Sequence, residues 1–357
     1  MTNVSTIPFA LGTFSIAGGA PYGAIVLNER VLALRAIPRA LPHLGGYFGR
    51  MAQTLDLLED WEHGFPALVS AVAELATAPY SEGFHSLSAP VGILRAHPPI
   101  GARQIFAVGA NYREHMVEMT IKAMEANPES KGPQEQRRAA EALMDARAEK
   151  GMPYAFTKLH TALAGADDTL VIPEMVHQCD WEVELSAIIG RPARHVAAAD
   201  AMDYVAGYAI LNDISARGLQ ARPDMKEAGS DWLSCKSQPG FAPFGPYFVP
   251  AAFVPSPYDL RMTLALNGQV MQDGNSSDML IKIDRIIEFL SSRVQLLPGD
   301  IISTGTPSGT GASHGRFLRP GDMMEASISG LGTQHVKCVA EGLRPAGWAA
   351  RELENAT

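Results

Sequence analysis

The sequence predicts an α+β fold with many short strands. Glycine and proline together account for 58 of the 357 residues, about 16% against a usual ~12%, which favours frequent turns. Short apolar runs such as residues 24–27 and 31–34 alternate with these turns. Helical patterns are confined to a few segments, the clearest being residues 61–77 and the amphipathic residues 277–293.

The composition favours a soluble, folded protein and argues against nucleic acid as a partner. Hydrophobic residues make up 46% and charged residues 19% of the chain, both ordinary for a globular protein. Acidic residues exceed basic ones, 38 against 29, so the net charge is −9. Such a surface repels phosphate backbones, and we expect no nucleic-acid partner.

The sequence also favours a cytoplasmic protein without a membrane partner. The cysteines Cys179, Cys235 and Cys338 are sparse and have no CxxC spacing, which is typical of reduced thiols. Residues 7–27 carry no charge, but glycines and a proline interrupt them and no basic residue precedes them. We therefore expect neither an export signal nor a membrane span there.

Two domains are predicted. Residues 1–100 form a small α+β unit, and residues 101–357 form the larger, catalytic part. The boundary lies at the sequence HPPIG of residues 97–101, where two prolines prevent helix formation.

The larger part opens with a buried strand at residues 105–109, followed by a helix that begins within residues 111–115. A charged, alanine-rich helix is then predicted at 134–150, with a thin apolar stripe made of Ala139, Leu143 and Ala146. Residues 119–152 are thus an insertion with little to bury. They are either a solvated surface segment or a lid over a site.

The most informative segment is residues 180–190. Alternation predicts a strand with Asp180, Glu182 and Glu184 on one face. On an exposed edge strand these acids would favour solubility. The small, apolar continuation after Glu184 instead favours a buried strand, where carboxylates must be paired or bound to a cation. Two such side chains, ~7 Å apart along a strand, can converge on one divalent ion.

A third ligand is predicted where an apolar strand ends at Asp213. This residue is either a metal ligand or the N-cap of a short helix. Arg217 and Gln220 follow at helical spacing, so we expect them on the same face as Asp213, with Arg217 binding a substrate carboxylate and Gln220 positioning it. Ligands that offer only oxygen favour Mg²⁺ or Mn²⁺ over zinc.

Further polar residues suggest acid–base chemistry. His115 and Glu118 are spaced i, i+3 at a helix start, so the carboxylate could orient the imidazole as a general base, although solvated helices often show this pattern. Lys236 lies in a stretch with few charges and is either a surface lysine or an ammonium directed at a ligand. Residues 299–311 lack the phosphate-loop lysine, and we expect their N–H and hydroxyl donors, including Thr306, to face a carboxylate or enolate oxygen.

With these residues in view, residues 103–339 resemble the catalytic domain of the fumarylacetoacetate hydrolase superfamily. The matching stretches are residues 109–118, 180–190, 203–220, 235–237, 267–272 and 298–309. The resemblance implies a mixed β-roll fold and, commonly, a homodimer. It also implies that residues 119–152 can order as a lid.

For the site, the resemblance implies Mg²⁺ or Mn²⁺ held by Glu182, Glu184 and Asp213. It implies a water-activating dyad of His115 and Glu118, with Lys236 facing the substrate. Lys158 aligns with a lysine that follows the lid in many members and is expected to bind substrate, although Leu159 and His160 replace the usual Pro-Ser and would reshape the mouth of the pocket.

The expected activity is metal-dependent hydrolysis of a C–C bond in a small carboxylated 1,3-dicarbonyl substrate, such as a 2,4-dioxo acid, through a metal-stabilised enolate. The alternatives are decarboxylation or tautomerisation of a 2-oxo acid such as oxaloacetate, and hydration of a dienoate. A catalytically silent binder of small dicarboxylates would leave His115, Glu118 and Lys236 without a role.

Overall fold

The computed structural model describes residues 7–16, 18–77, 80–125, 132–222, 224, 227 and 229–342.

The first hundred residues contribute a five-stranded antiparallel sheet. Its strands are β1 (Ala10–Ser15), β2 (Tyr22–Leu27), β3 (Arg30–Ala33), β4 (Ala89–Pro90) and β5 (Arg95–His97), in the spatial order β4-β3-β2-β1-β5. Among the described residues, five α-helices connect β3 to β4: α1 (Ile37–Ala40), α2 (Gly45–Phe48), α3 (Thr54–Leu58), α4 (Trp61–Leu75) and α5 (Tyr80–Leu87). The two-residue turn between β2 and β3 has positive φ at both Asn28 and Glu29, which matches the twist of a hairpin.

The larger part of the chain contributes fifteen strands and six helices among the described residues. The strands are β6 (Ile105–Gly109), β7 (Tyr154–Lys158), β8 (Leu163–Ala164), β9 (Leu170–Ile172), β10 (Cys179–Asp180), β11 (Val183–Ile189), β12 (Val205–Asn212), β13 (Ser215–Ala216), β14 (Ala242–Pro243), β15 (Val249–Pro250), β16 (Arg261–Leu266), β17 (Gln269–Asn275), β18 (Ile301–Ser303), β19 (Met323–Ile328) and β20 (Gly332–Ala340). The helices are α6 (Arg113–Glu125), α7 (Pro133–Lys150), α8 (Ala198–Ala201), α9 (Trp232–Lys236), α10 (Ile283–Ser291) and α11 (Gly311–His314).

Two larger sheets organise these strands. A six-stranded mixed sheet has the order β15-β12-β11-β18-β6-β7, in which only β18 and β6 run parallel. A five-stranded sheet has the order β17-β16-β19-β20-β9. Short pairs join β10 to β13 and β14 to β8. This mixture of helices and strands confirms the predicted α+β class.

The central strands of the six-stranded sheet are the most deeply buried. Every residue of β11 and of β12 is buried, and their apolar side chains join a core that includes residues of β16 and β19. The run of small and apolar residues after Glu184 therefore indicated a central strand and not an exposed edge.

The two predicted domains share apolar packing. One buried cluster contains Leu11 and Ile25 from the N-terminal sheet together with Ile188 and Leu211 from the six-stranded sheet. Leu11 also exchanges both backbone hydrogen bonds with Phe248, each 2.8 Å long. The boundary at residues 97–101 stays a prediction.

Most predicted elements lie where the pattern placed them. The strand at 105–109 is β6, and the helix that follows begins at Arg113. The amphipathic helix predicted at 277–293 is shorter and corresponds to α10, because residues 276–278 form a 3₁₀ turn. In α7 the predicted apolar stripe is wrong, since Leu143 is exposed and the buried face consists of Gln136, Ala140 and Met144.

Helices α6 and α7 pack against each other and against the rest of the protein. Arg113 pairs with Asp145 across the two helices. Lys122 donates a hydrogen bond to the carbonyl of Ala312 (2.9 Å), and Arg285 donates to the carbonyls that end α7. Movement of this segment as a lid stays a prediction. No helix within the described ranges is long and apolar enough to cross a bilayer.

Asp300 ties the start of β18 to the segment before β6 and should make stability depend on pH. Its Oδ2 accepts hydrogen bonds from Gln104 Nε2 (2.6 Å) and the N–H of Leu297 (2.8 Å), while its buried Oδ1 has no partner among the described residues. Burial raises its pKa to about 6, against the opposing effect of these hydrogen bonds.

Because the pKa of Asp300 is higher in the folded than in the unfolded state, folding favours the protonated acid. Its stabilising contribution is present at low pH and is lost as pH rises through about 6. We expect the free energy of unfolding of the wild type, relative to that of Asp300→Asn, to fall by about 1 kcal/mol between pH 5 and pH 7. Urea unfolding at both pH values measures this, and parallel pH profiles would contradict it.

Candidate active site

Two adjacent strands bring three carboxylates together. Val183 pairs with Asn212 in the antiparallel ladder of β11 and β12, so Glu182 and Asp213 lie opposite each other just beyond the pairing. The N–H of Asp213 donates to the carbonyl of Glu182 (2.8 Å). Glu184 follows on the same face as Glu182. One oxygen from each of Glu182, Glu184 and Asp213 lies within 4.8 Å of the others, and all three residues, here named the acidic triad, are buried.

Two buried lysines neutralise part of this charge. Lys236 Nζ, at the end of α9, donates to Glu182 Oε2 and Asp213 Oδ2, both at 2.6 Å. Lys158 Nζ, at the end of β7, donates to Asp213 Oδ1 at 2.6 Å and to the carbonyl of Ile214. Burial disfavours both ammonium charges. At Lys236, Asp213 and Glu182 outweigh burial and raise the pKa. At Lys158, burial outweighs the effect of Asp213 and lowers the pKa. A charge buried this deeply is stable only beside such partners.

Arg217 connects the triad to a second acid. Its guanidinium donates through Nε to Asp180 Oδ2 (2.9 Å) and through Nη2 to Glu182 Oε1. Asp180 also accepts the backbone N–H groups of Gly311 and Ala312 at the start of α11. This chain of contacts fixes Arg217 on one side of Glu182.

Glu182 and Glu184 differ in their partners. Burial raises the pKa of Glu182, but Arg217 and Lys236 outweigh burial and lower it. The carboxylate of Glu184 accepts hydrogen bonds only from uncharged donors in the described structure, namely Ser303 Oγ (2.6 Å) and the N–H of Gly305 (2.9 Å). Burial, Asp213 and Glu182 therefore raise the pKa of Glu184. An added cation would relieve this repulsion.

Helix α6 places an imidazole beside the triad. His115 is partly buried, and its buried Nδ1 atom has no hydrogen-bond partner among the described residues. Burial lowers its pKa, against the opposing effect of Glu182, which favours the neutral form that can accept a proton. Glu118 does not hydrogen bond to His115 in the described structure, and accepts a hydrogen bond from Ser313 (3.3 Å) instead.

These groups line one cavity of about 180 Å³. The acidic triad, His115, Arg217, Lys236 and Thr306 all border it, together with apolar side chains. Its volume suits a small organic acid better than a polymer.

Comparison with known proteins identifies the family. Residues 104–339, about two thirds of the chain, match the family model described as fumarylacetoacetate (FAA) hydrolase, C-terminal. The chain belongs to the fumarylacetoacetate hydrolase family. The resemblance predicted from the sequence motifs is thereby confirmed.

Members of this family with known names are enzymes of several reaction types. The chain is 31% identical over 313 residues to oxaloacetate tautomerase FAHD2A, mitochondrial, of Bos taurus, covering 85% of this chain and 90% of that protein. It is 34% identical over 265 residues to a 2,4-didehydro-3-deoxy-L-rhamnonate hydrolase of Sphingomonas sp., covering 73% and 79%.

Solved structures of fumarylacetoacetate hydrolase relatives share the fold. A maleylpyruvate hydrolase from Sphingobium sp. SYK-6, in complex with manganese(II) ion and pyruvate, superimposes with a TM-score of 0.65 at 26% identity, covering 93% of this chain and 99% of that one. A 2-hydroxyhepta-2,4-diene-1,7-dioate isomerase from Mycobacterium marinum gives 0.62 at 26% identity, covering 94% and 99%. The named family members thus act on small oxo acids.

The chemistry of the acidic triad fits a hard divalent cation. All three donors are carboxylate oxygens close enough to converge on one ion, and no histidine or cysteine belongs to the cluster among the described residues. Buried acids that repel one another, as Glu184 is repelled by Asp213 and Glu182, are stabilised by added positive charge. Such a donor set favours Mg²⁺ or Mn²⁺.

The structure brings most of the predicted site residues of this family member to one cavity, but not all. Lys158 does not border this cavity, because its side chain is fully buried and its ammonium group forms an ion pair with Asp213. The prediction that Lys158 binds substrate is therefore corrected. Lys158 therefore supports the triad through its ion pair with Asp213.

The helical face predicted for Asp213, Arg217 and Gln220 is wrong. Asp213 does not cap a helix, because Ser215 and Ala216 pair with β10 as strand β13, and only Arg217–Leu219 form a 3₁₀ turn. Gln220 consequently lies away from the cavity, where its amide donates to Ser230 Oγ (3.3 Å). Arg217 is held at the site by its ion pairs with Asp180 and Glu182, and it does not share a helical face with Asp213.

The loop after β18 also differs from its prediction. The hydroxyl of Thr304 donates to the carbonyl of Leu185, and that of Thr306 donates to the carbonyl of Val183. The N–H of Gly305 binds Glu184. These donors hold β11 and orient a triad member, so the hydroxyl proton of Thr306 is not available to a substrate.

Sequence reasoning missed several supporting residues. Ser303 orients Glu184, and Asn212 accepts the N–H of Glu182 at 2.9 Å. Asp180 was recognised as part of the acidic face, but not as the partner of Arg217. Tyr154, Phe156 and Trp232 form an aromatic wall of the cavity. The alternation of Tyr154 and Phe156 along β7 is the signal that could have placed both on one face.

Proposed function

We propose that this protein hydrolyses a C–C bond of a small 2,4-dioxo acid in a reaction that depends on a divalent metal ion. The observation that carries the proposal is the position of His115, which lines the same cavity as the acidic triad and whose Nδ1 has no hydrogen-bond partner among the described residues. A free ring nitrogen beside a cation site is suited to take a proton from water.

Glu182, Glu184 and Asp213 would hold Mg²⁺ or Mn²⁺. When bound, the ion supplies positive charge that polarises a carbonyl and stabilises a developing enolate.

The residues of the chain then have separate tasks. Arg217 is partly exposed to the cavity although it is paired with Glu182, and it orients the carboxylate of the substrate. His115 removes a proton from a water molecule, whose oxygen adds to the distal carbonyl carbon. The bond between that carbon and the adjacent methylene carbon breaks, and its electron pair remains on the methylene carbon as the enolate of pyruvate. The proton on His115 then passes to this carbon, so the products are pyruvate and a carboxylic acid.

Lys236 would stabilise the developing charge of the enolate. Its Nζ contacts two members of the triad and borders the cavity, so it can donate to a substrate oxygen once that oxygen replaces one of its acidic partners.

A second candidate is tautomerisation of oxaloacetate. It is favoured by the identity of 31% to a protein named oxaloacetate tautomerase. This reaction moves a proton between the third carbon and the oxygen of the second carbon, and adds no water. His115 could shuttle that proton.

Acetylpyruvate, incubated with the purified protein and Mn²⁺ in water enriched in oxygen-18, tests the proposal. We expect loss of the enol absorbance, formation of pyruvate and one heavy oxygen in the acetate, all abolished by a chelator. Unchanged acetylpyruvate, together with accelerated interconversion of enol and keto oxaloacetate, would reject hydrolysis in favour of the tautomerase.

A further inference from the structure

The aromatic wall lies directly beside the acidic triad. Phe156 and Trp232 stack with their ring centroids 4.5 Å apart at 9°, and Tyr154 meets Trp232 edge-on at 5.8 Å. Lys236 Nζ, which contacts two triad acids, lies 5.2 Å from the centroid of the Phe156 ring. A molecule bound at the triad therefore extends along aromatic side chains.

Helix α6 continues this apolar lining. Met116 and Met119 border the cavity on the helix that also carries His115. Tyr154 and Met119 retain 49% and 39% of their surface exposed. These side chains are only partly covered by the protein itself, so apolar contact area remains for a ligand.

The basic groups at the cavity are already paired with acids. Among the described residues that line it, Arg217 and Lys236 are the only permanent cations, and their partners are Asp180, Glu182 and Asp213. Arg217 can bind the substrate carboxylate that is next to the oxo group. With Arg217 used by that carboxylate and Lys236 by the enolate oxygen, a second carboxylate against the aromatic wall would lose its hydration without a further permanent cation among the described lining residues.

We propose that the aromatic wall, with Met116 and Met119, binds an apolar and preferably flat substituent at the end of the substrate remote from its carboxylate. This inference rests on the proposed function and narrows its substrate class to 2,4-dioxo acids with an aryl or alkyl acyl group. It disfavours diacids such as oxaloacetate. Burial of a ring on such a surface should strengthen binding ~10–100-fold relative to a charged group of similar length.

The test measures binding without requiring turnover. Isothermal titration of the Mn²⁺-loaded protein compares 4-phenyl-2-oxobutanoate with 2-oxoglutarate, two acids that share the 2-oxo carboxylate but differ at the remote end. We expect the phenyl compound to bind at least about tenfold more tightly. Equal affinities, or tighter binding of 2-oxoglutarate, would overturn the inference.

Variants assign the preference to the wall. Trp232→Ala should reduce the ratio of the two affinities towards one, whereas Leu233→Ala, its exposed neighbour on α9, should leave the ratio unchanged. Met119→Arg should strengthen binding of 2-oxoglutarate about tenfold by supplying the missing cation. Because Met119 is partly exposed, this variant and the wild-type comparison remain decisive if Trp232→Ala does not fold.

Turnover separates this inference from the proposed function. If the phenyl compound is preferred but neither acetylpyruvate nor benzoylpyruvate is cleaved, the aromatic wall is confirmed as an apolar subsite and hydrolysis is rejected. If acetylpyruvate is cleaved but the phenyl compound has no advantage in binding, hydrolysis stands and the inference fails.

Discussion

Replacing Glu184 by glutamine is expected to abolish tight binding of Mn²⁺ and to lower kcat/KM by on the order of 10³-fold or more. Glu184 is the best position for this test because its carboxylate is hydrogen bonded to Ser303 and Gly305, while Glu182 and Asp213 each form ion pairs with buried cations. A glutamine can accept the same two hydrogen bonds. The variant therefore removes one negative charge and leaves the surrounding ion pairs intact.

Metal affinity, measured by titration calorimetry, and hydrolysis of acetylpyruvate are the two readouts. Glu325→Gln, an exposed exchange of the same kind on β19, is the matched control and should behave as the wild type. A Glu184→Gln protein that binds Mn²⁺ with unchanged affinity would exclude the acidic triad as the metal site.

Thermal unfolding adds a readout that does not depend on activity. Without metal, Glu184→Gln should be at least as stable as the wild type, because burial and the neighbouring acids disfavour the charge of Glu184. Mn²⁺ at 100 times its Kd should stabilise the wild type by about 2.7 kcal/mol and the variant by far less. Destabilisation of the metal-free variant would instead show that Glu184 holds the fold together.

Replacing His115 by alanine is expected to lower kcat by about 10²–10⁴-fold while Mn²⁺ still binds. His115 lines the cavity and its Nδ1 has no hydrogen-bond partner in the part of the chain that the structure describes, but it is not a member of the acidic triad. Loss of the base should therefore affect the proton-transfer step and leave the metal site in place. His85→Ala, which removes an exposed imidazole on α5 in the N-terminal part of the chain, is the matched control.

The pH profile distinguishes a base from a merely structural histidine. Burial lowers the pKa of His115 below its usual 6.5, with Glu182 opposing the shift, so the imidazole remains neutral and basic in mildly acidic solution. The acid limb of kcat/KM should accordingly lie below pH 6.5 and should be absent in His115→Ala. Full turnover by the variant would remove His115 from the mechanism.

The acidic triad could be predicted because its pattern is local. Alternating acids that lead into a small, apolar strand indicate carboxylates pointing into a core, and the pattern holds for Glu182, directly before β11, and for Glu184 on β11. Asp213 could be predicted as a strand terminus, although the helix expected after it does not form. Pairing of β11 with β12 then brings Asp213 next to Glu182.

The partners of these acids could not be predicted in the same way. Lys158 and Asp213 are 55 residues apart in the chain, and Asp180 meets the N–H groups of Gly311 and Ala312 across more than 130 residues. Such contacts depend on how separate sheets and loops are placed. The periodicity of a single segment cannot predict these contacts.

The amino-acid sequence by itself determined the α+β class, the family and the three acids able to hold a cation, because each depends on short-range pattern or motif. Only the tertiary structure decided which cations neutralise those acids and which donors in the loop after β18 are already used. It also decided that an aromatic wall stands beside them. The physical reason is that the stability of a buried charge depends on all the groups packed around it, and these groups come from distant parts of the chain.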